Sequence, residues 1–490
     1  MRRLSIFLIA IACSLAIRLG AQEQLGIRTS NFGGVNSLLL NPANGQTTPF
    51  AWDANLLEAG LFFENNYAFV ENFRLLDALS MPDNVEVRAL LDEDDTAPTP
   101  GSLIVDFYRI DENSTSHAGF LTNVMGPSIF LRIGEAHSVG LFTRGRAFLN
   151  TFEIPSSLGY YEYNNQPFEE SILIEPASGS ALAWSEIGLN YAYHGLTANG
   201  ELSFGASLKF LQGYEAVYIR NNSRFELTQL RDNRLQGTSV DFNYGFASTG
   251  LDSEAWRLQR NGGGFGIDLG VVYTATDDSD LPYRWKLGAS ILDLGAVRFD
   301  RAAQKHAIAT SDIREMALDD YQFFTDPADL DSILQIFSQQ ILNDPEASLV
   351  SDAFAMQLPT ALSVQADLAV LPSLFVNATI VQAVPVSRIS IRRNSLAAVT
   401  PRLERRWLEL ALPVSLLDWS HLRVGASARL GFLYFGTEDF ASIFREQENF
   451  DSTDFYVALK LNPFRLGRGK GAKTSGLRAK GNGKVKCPVW

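Results

Sequence analysis

The sequence predicts an all-β chain, a transmembrane antiparallel β-barrel of about 14 strands. Three observations predict it. Apolar and polar residues alternate with period two along most of the chain. Short turns are mixed with long connections, as in barrels with short periplasmic turns and long outer loops. An apolar leader opens the chain, yet no later stretch supplies the roughly 20 clean apolar residues of a membrane-crossing helix.

The elements follow in order. Residues 1–21 read as a secretory signal: Arg2 and Arg3, the apolar run Leu4 to Ile17, then Leu19-Gly20-Ala21 before Gln22. Cys13 suggests a lipoprotein site, but Ala10 stands where Leu is wanted. Beyond the signal the chain carries 38 basic and 55 acidic residues, a net −17. A negative body repels phosphate, so nucleic acid is not an expected partner. With 33 Phe, 15 Tyr and 7 Trp, disorder is excluded. Only Cys13 and Cys487 are present, which excludes a Cys-rich zinc site.

Residues 22–53 form an N-terminal segment, and 54–464 the barrel. Leu202, Phe204, Ala206, Leu208 and Phe210 alternate with Ser203, Gly205, Ser207 and Lys209. Trp285, Leu287, Ala289 and Ile291 alternate with Lys286, Gly288 and Ser290, and Phe455, Val457, Leu459 and Leu461 close the series. Gly134–His137 and Thr276–Asp280 are expected turns. Residues 71–126, 150–183, 300–358 and 436–452 are expected long connections. Ala366 to Val386 contains Asp367, Pro372, Asn377 and Pro385 and reads as strand, Leu-Pro-Ser turn, strand. Tyr191, Tyr193, Tyr273, Tyr283, Trp285 and Tyr456 are placed in an interfacial girdle. Ile313, Met316, Leu318, Leu330, Ile333, Leu334, Ile336 and Phe337 recur at helical spacing, giving one or two helices over 311–345 in a loop insertion of about 300–358. Residues 465–490 hold eight basic and no acidic residues among glycines, a flexible basic periplasmic tail. Periodicity alone does not separate a barrel from a β-sandwich. The polar face, rich in Gly, Ser and Asn with Arg, Lys and Asp, suits a crowded or wet lumen.

Chemistry-bearing patterns are few. There is no Gly-x-Ser-x-Gly and no His-Glu-x-x-His, so no catalytic role, cofactor or metal is expected. Gly262–Gly266 opens a strand, not a phosphate-binding helix. His117, His137, His194, His306 and His421 are scattered and read as loop or lumen residues. Asp92–Asp95 and Asp277, Asp278 and Asp280 lack the spaced calcium-loop pattern and read as solvated turns. Arg144 and Arg146 fall on the lumen face with Phe142 and Phe148, where pairing with acids such as Asp268 would neutralise them. The head group of an acidic amphiphile is the other reading.

Asn31-Phe32-Gly33-Gly34-Val35 is followed by Leu40-Asn41-Pro42-Ala43. This Asn41-Pro42-Ala43 resembles the motif of the outer-membrane barrels of the long-chain fatty-acid transporter family and the related barrels tied to type IX secretion. Gly126-Pro127-Ser128 with Thr143–Arg146, Gly266–Gly270 with Asp293-Leu294-Gly295, Leu358-Pro359-Thr360 and the ending Lys486–Trp490 resemble an uncharacterised branch of that superfamily. The resemblance implies a barrel whose N-terminal segment folds into the lumen. It implies outer-membrane lipid as surroundings and a hydrophobic ligand bound or passed. The alternative is a non-transporting scaffold with a secretion or cell-surface protein partner. Pro42 restrains Asn41 to extended backbone, so Asn-Pro-Ala can make a rigid luminal turn. The barrel's last strand ends near Phe464, ahead of the tail.

Overall fold

The computed structural model describes residues 23–462 except 81–83, 89–100, 112–113, 198, 249–257, 277–280 and 322–329. Strands pair antiparallel around a closed 14-strand barrel. They are β1 (Trp52–Asn65), β2 (Thr115–Met125 continued by Ser128–Ile133), β3 (His137–Pro155), β4 (Ser178–Thr197) and β5 (Gly200–Asn221). Next come β6 (Arg234–Ala247 and Gly262–Ala275), β7 (Trp285–Phe299 and Ala303–Ala317) and β8 (Leu349–Ser351, Phe354–Gln357 and Ala361–Leu371). The circle is completed by β9 (Leu374–Ala383), β10 (Leu396–Glu404), β11 (Leu408–Ala411 and Val414–Leu417), β12 (His421–Val424 and Ala426–Leu430), β13 (Leu433–Thr437) and β14 (Ser452–Leu461). Ala54 opposite Leu461 closes β1 on β14.

Many strands are interrupted, and sequence explains where. Proline has no amide to give a ladder. Breaks accordingly fall at Gly126-Pro127 in β2, at Leu358-Pro359-Thr360 in β8 and before Pro413 in β11. Strands β6 and β7 break at one height: Ala247 opposes Ala303, and Gly262 opposes Phe299. Both halves of β6 still pair with β5, through Ala216–Ala247 and Gly213–Gly262. The expected loop insertion therefore narrows. Residues 303–317 are strand, not helix, because their amides ladder onto 234–247. The helix there is Leu330–Leu342, which packs Phe337, Ile341 and Leu342 beside Ile308 and Phe225.

One end carries the short connections, such as 134–136, 372–373 and 431–432. The other carries 66–114, 156–177, 222–233, 318–348, 384–395 and 438–451. We call them the turn end and the loop end. At the loop end a small separate sheet, ordered Gln447–Phe450, Ala68–Phe73, Leu103–Phe107, Val85–Val87, forms a cap. Tyr108 donates to Asp451 at 2.7 Å and Tyr161 to Asp106 at 2.6 Å, fastening it. Burial and the bond to Asp106 push the Tyr161 hydroxyl up to about 12, so it stays a donor.

Alternation sorts the residues of each strand. On β5 Phe204, Leu208 and Phe210 point out, about half exposed, while Ser207 and Lys209 are buried. Ile187 and Leu189 on β4, Leu287 and Ile291 on β7, Val364 and Leu368 on β8, and Val457 and Leu459 on β14 are exposed in the same way. A belt of this size suits lipid rather than water. Among the described residues no helix is long and apolar enough to cross a membrane, which says nothing of strands. Tyr191 and Tyr193 lie on the outside. Tyr273 and Trp285 lie side by side, their rings tilted with centroids 5.3 Å apart. Tyr283 and Tyr456 leave the expected girdle: both are buried in the lumen, where their hydroxyls meet Asn31 and the Gly26 amide.

Candidate functional site: a filled lumen beneath an apolar chamber

Residues 23–50 run inside the barrel, with most side chains buried. A helical turn, Leu25–Arg28, starts the path, its Leu25 amide donating to Glu438 at 2.8 Å. Ser30 donates to Glu409 on β11, and Asn31 to Glu404 on β10, both at 2.8 Å. The Val35 amide reaches Asp53 on β1 at 2.9 Å, and Asn36 bonds Glu58. The segment thus touches the wall on all sides before leaving past Arg132, which bonds the Thr48 carbonyl.

Asn41, Pro42 and Ala43 lie at its centre. Asn41 is extended, as the following proline requires, and its side chain accepts from the Ala43 amide at 3.0 Å to start a short 3-10 helix, Pro42–Gln46. Its amide nitrogen donates to the carbonyls of Val271 (3.2 Å) and Ala289 (3.3 Å) and to Gln365 (3.0 Å). Asn190 donates to the Pro42 carbonyl at 3.1 Å. The wall opposite is glycine. A Cβ at Gly205 would overlap the Pro42–Ala43 backbone, and one at Gly270 would overlap the Asn41 side chain. These two glycines pair directly across β5 and β6. The close seat depends on their lack of a side chain.

A buried ionic centre stands beside this turn. Arg144 bonds Glu186 at 2.7 Å and Arg146 bonds Asp293 at 2.9 Å. Lys209 lies 2.6 Å from both Asp268 and Asp293. Arg393, from the inward-folded 384–395 connection, adds 2.9 Å to Asp293 and 3.4 Å to Glu23, which also pairs with Arg28 at 3.1 Å. Asp268 belongs to the cluster, but its ion-pair partner is Lys209 rather than either arginine. Register explains this: Ser207 opposes Asp268 on neighbouring strands, which sets Lys209 two residues along the same inward face. Indole and phenyl rings of Trp184 and Phe148 lie 4.7 and 4.9 Å from the Arg146 guanidinium. Buried charges tolerate such a site only when paired and hydrogen-bonded, and these are. A second set sits nearer the turn end: Arg402 with Asp367 (2.7 Å) and Glu404 (2.8 Å), Arg429 with Glu409 (3.2 Å), and Lys460 with Asp53 (3.1 Å).

Sequence reasoning missed Glu186, Lys209, Asp293 and Arg393. Asp293 stands in the noted Asp293-Leu294-Gly295, which is its one signal in the sequence; its φ of +55° shows only in the structure. Arg393 carries none, because nothing local says that its connection folds inward.

Above this filled half, at the loop end, lies a cavity of about 2200 Å³. Phe148, Leu182, Tyr218, Val70, Phe440 and Phe450 are among its walls, which are almost wholly apolar. Val217 and Ile219, which point outward, also border it, so it is open rather than sealed. A smaller polar cavity of about 720 Å³ adjoins it, lined by Glu64, His117, His421 and Arg423. Two of the five histidines, scattered in sequence, therefore meet at one place. The Asp92–Asp95 and Asp277–Asp280 clusters, the signal, Phe464 and the tail lie outside the described residues.

No curated protein matches the chain. Similar solved structures include the toluene transporter TodX of P. putida, 12% identical, covering 88% of this chain and 93% of that one with a TM-score of 0.35. The toluene transporter TbuX of Ralstonia pickettii is 11% identical over 88% and 94%, at 0.38. A FadL homologue of Pseudomonas aeruginosa is 9% identical over 91% and 99%, at 0.26. At these scores the likeness adds nothing to the fold read from the strand pairing. Residues 58–438 match a family described as a family of unknown function, DUF5723. That match spans well over half of the chain, and the protein belongs to the DUF5723 family.

Proposed function

We propose that this protein is a bacterial outer-membrane barrel that binds hydrophobic small molecules or passes them across the outer membrane. The observation that carries the reading is the apolar chamber of about 2200 Å³ at the loop end. Ordinary ligand pockets occupy roughly 300–1,000 Å³, so an acyl chain or several aromatic rings fit. Asn41, Pro42 and Ala43 serve as the luminal plug, anchored in the glycine seat. Arg144, Arg146 and Asp268 serve as part of the charge centre that holds the floor rigid. Residues 1–21 direct export, and the basic tail of 465–490 faces the periplasm.

A titration of the detergent-solubilised full chain with a fluorescent fatty acid tests this. Saturable binding is expected in the wild type. Phe440→Asp puts a charge in the chamber at a half-exposed loop position, and about a tenfold loss of affinity is expected. Absence of saturable binding in the wild type would sink the reading. A second reading, a non-transporting partner in secretion or surface assembly, is favoured by one observation, the occupied lumen. Recovery of a stoichiometric partner protein, with no retained apolar ligand, would decide for it.

A further inference from the structure

We infer that Glu64, His117 and His421 form a binding site for a borderline divalent transition-metal cation, of the zinc or nickel kind, at the loop-end rim. Glu64 is the penultimate residue of β1, His117 lies on β2 and His421 opens β12. The Glu64 Oε1 atom is 3.8 Å from Nε2 of His117 and 3.9 Å from Nε2 of His421. The three ligand atoms lie within 4.8 Å of one another. Two imidazoles and one carboxylate form a ligand set that such cations favour over calcium or magnesium.

Geometry requires little change. Metal–ligand bonds of 2.0–2.2 Å place tetrahedral ligand atoms roughly 3.3 Å apart. The two Glu64 distances need contraction of about half an ångström and the histidine–histidine separation at most about 1.5 Å, and rotamer motion of the imidazoles supplies both, their side chains being 30% and 50% exposed. The carboxylate is already held. Its other oxygen lies 3.1 Å from Arg423, leaving Oε1 toward the histidines, and its side chain is 6% exposed. Backbones are fixed as well. The His117 amide donates to Asn66 at 2.7 Å. His421 pairs with Leu417 across a tight hairpin whose Asp418 and Trp419 hold φ +44° and +61°. Asp439 and Asp451 line the same cavity and offset the Arg423 charge. Remaining coordination positions face that cavity and would hold water.

The site has a mechanical consequence. Strand β13 is only five residues long, so above it β12 and β14 ladder with nothing on their facing sides, although His421–Val424 still pairs with β11 on the other side. A metal held by β1, β2 and β12 would clasp the rim across that thin wall. The inference does not depend on what fills the apolar chamber.

The test is isothermal titration of Zn²⁺ into the chelator-stripped, untagged full chain in detergent. One site per chain is expected, with Kd of about 1 µM or tighter. His117→Ala and His421→Ala should each weaken it about tenfold or more, and their combination should abolish it. His194→Ala, on the opposite end of the barrel, should leave it unchanged. Cu²⁺ electron paramagnetic resonance gives a second readout: coupling to two nitrogens in the wild type, and one in His421→Ala, whose side chain is half exposed. Absence of stoichiometric binding in the wild type, or binding that survives the double substitution, overturns the site. Fatty-acid binding is measured separately, so failure of one reading leaves the other standing.

Discussion

At the turn end of the lumen Asn41 has four polar partners and the Pro42–Ala43 backbone rests directly on glycine. At the loop end, a few turns of strand higher, a cavity of about 2200 Å³ is bordered by phenyl and aliphatic side chains. On some strands one inward-facing series supplies both. On β3 the inward series passes from Phe142 through Arg144 and Arg146 to Phe148, so polarity changes along one strand without a change of face. A barrel wall can therefore assign different chemistry to different heights by varying every second residue. The difference teaches that the floor is a structural device and the chamber is where an apolar molecule has room.

If the ionic centre is what makes the floor rigid, its hub should be the most sensitive position. Asp293 faces Arg146, Lys209 and Arg393 at 2.6–2.9 Å. Asp293→Asn keeps the shape and tolerates the left-handed backbone but removes the charge that three buried cations share, leaving Lys209 only Asp268, Arg393 only Glu23 and Arg146 only the more distant Glu186. A loss of about 3–5 kcal/mol is expected, read as a lower unfolding temperature in detergent. An unchanged melting curve would mean that the cluster is not coupled.

The glycine seat gives the next largest effect. Gly270→Val drives a side chain into Asn41, at a cost of about 1–3 kcal/mol. Faster hydrogen exchange should appear in residues 25–47 while the outer strand halves stay protected. Exchange that rises uniformly would instead report global loosening. Asn41→Ala removes the cap and the wall contacts, for about 1–2 kcal/mol, and should release the same residues to a smaller degree. At the loop end, Arg224 and Glu175 make an exposed 2.6 Å pair. Arg224→Ala should change the melting temperature by nothing measurable, since such pairs are screened by water and salt. A clear drop there would erase the contrast between the two ends.

Much of the architecture was legible because alternation is local. Leu202–Phe210 declares its two faces whatever it pairs with. The strand breaks at Pro127, Pro359 and Pro413 went unread, although proline's missing amide accounts for them. The helical reading of 311–318 failed because its local signal was only two or three apolar residues at helical spacing, and pairing with 234–247, which puts Ile313 and Met316 on opposite faces of a strand, decided the outcome. Tyr283 and Tyr456 were misplaced because a tyrosine near a strand end suits a lipid interface and a polar lumen equally well. Asn41-Pro42-Ala43 was visible as a turn, but its glycine seat was not, since Gly205 and Gly270 come together only through register. The same holds for Glu64, His117 and His421, which are hundreds of residues apart in part and share a site only after the barrel closes.

The central claim is a chamber above a floor that residues 23–50 and the paired charges fill among the described residues. Planar-bilayer recording of the wild-type full chain tests it most directly. The account predicts insertion without steady ionic current, because residues 23–50 and the paired charges occupy the lumen. Stable, porin-like conductance steps from the wild type would contradict it.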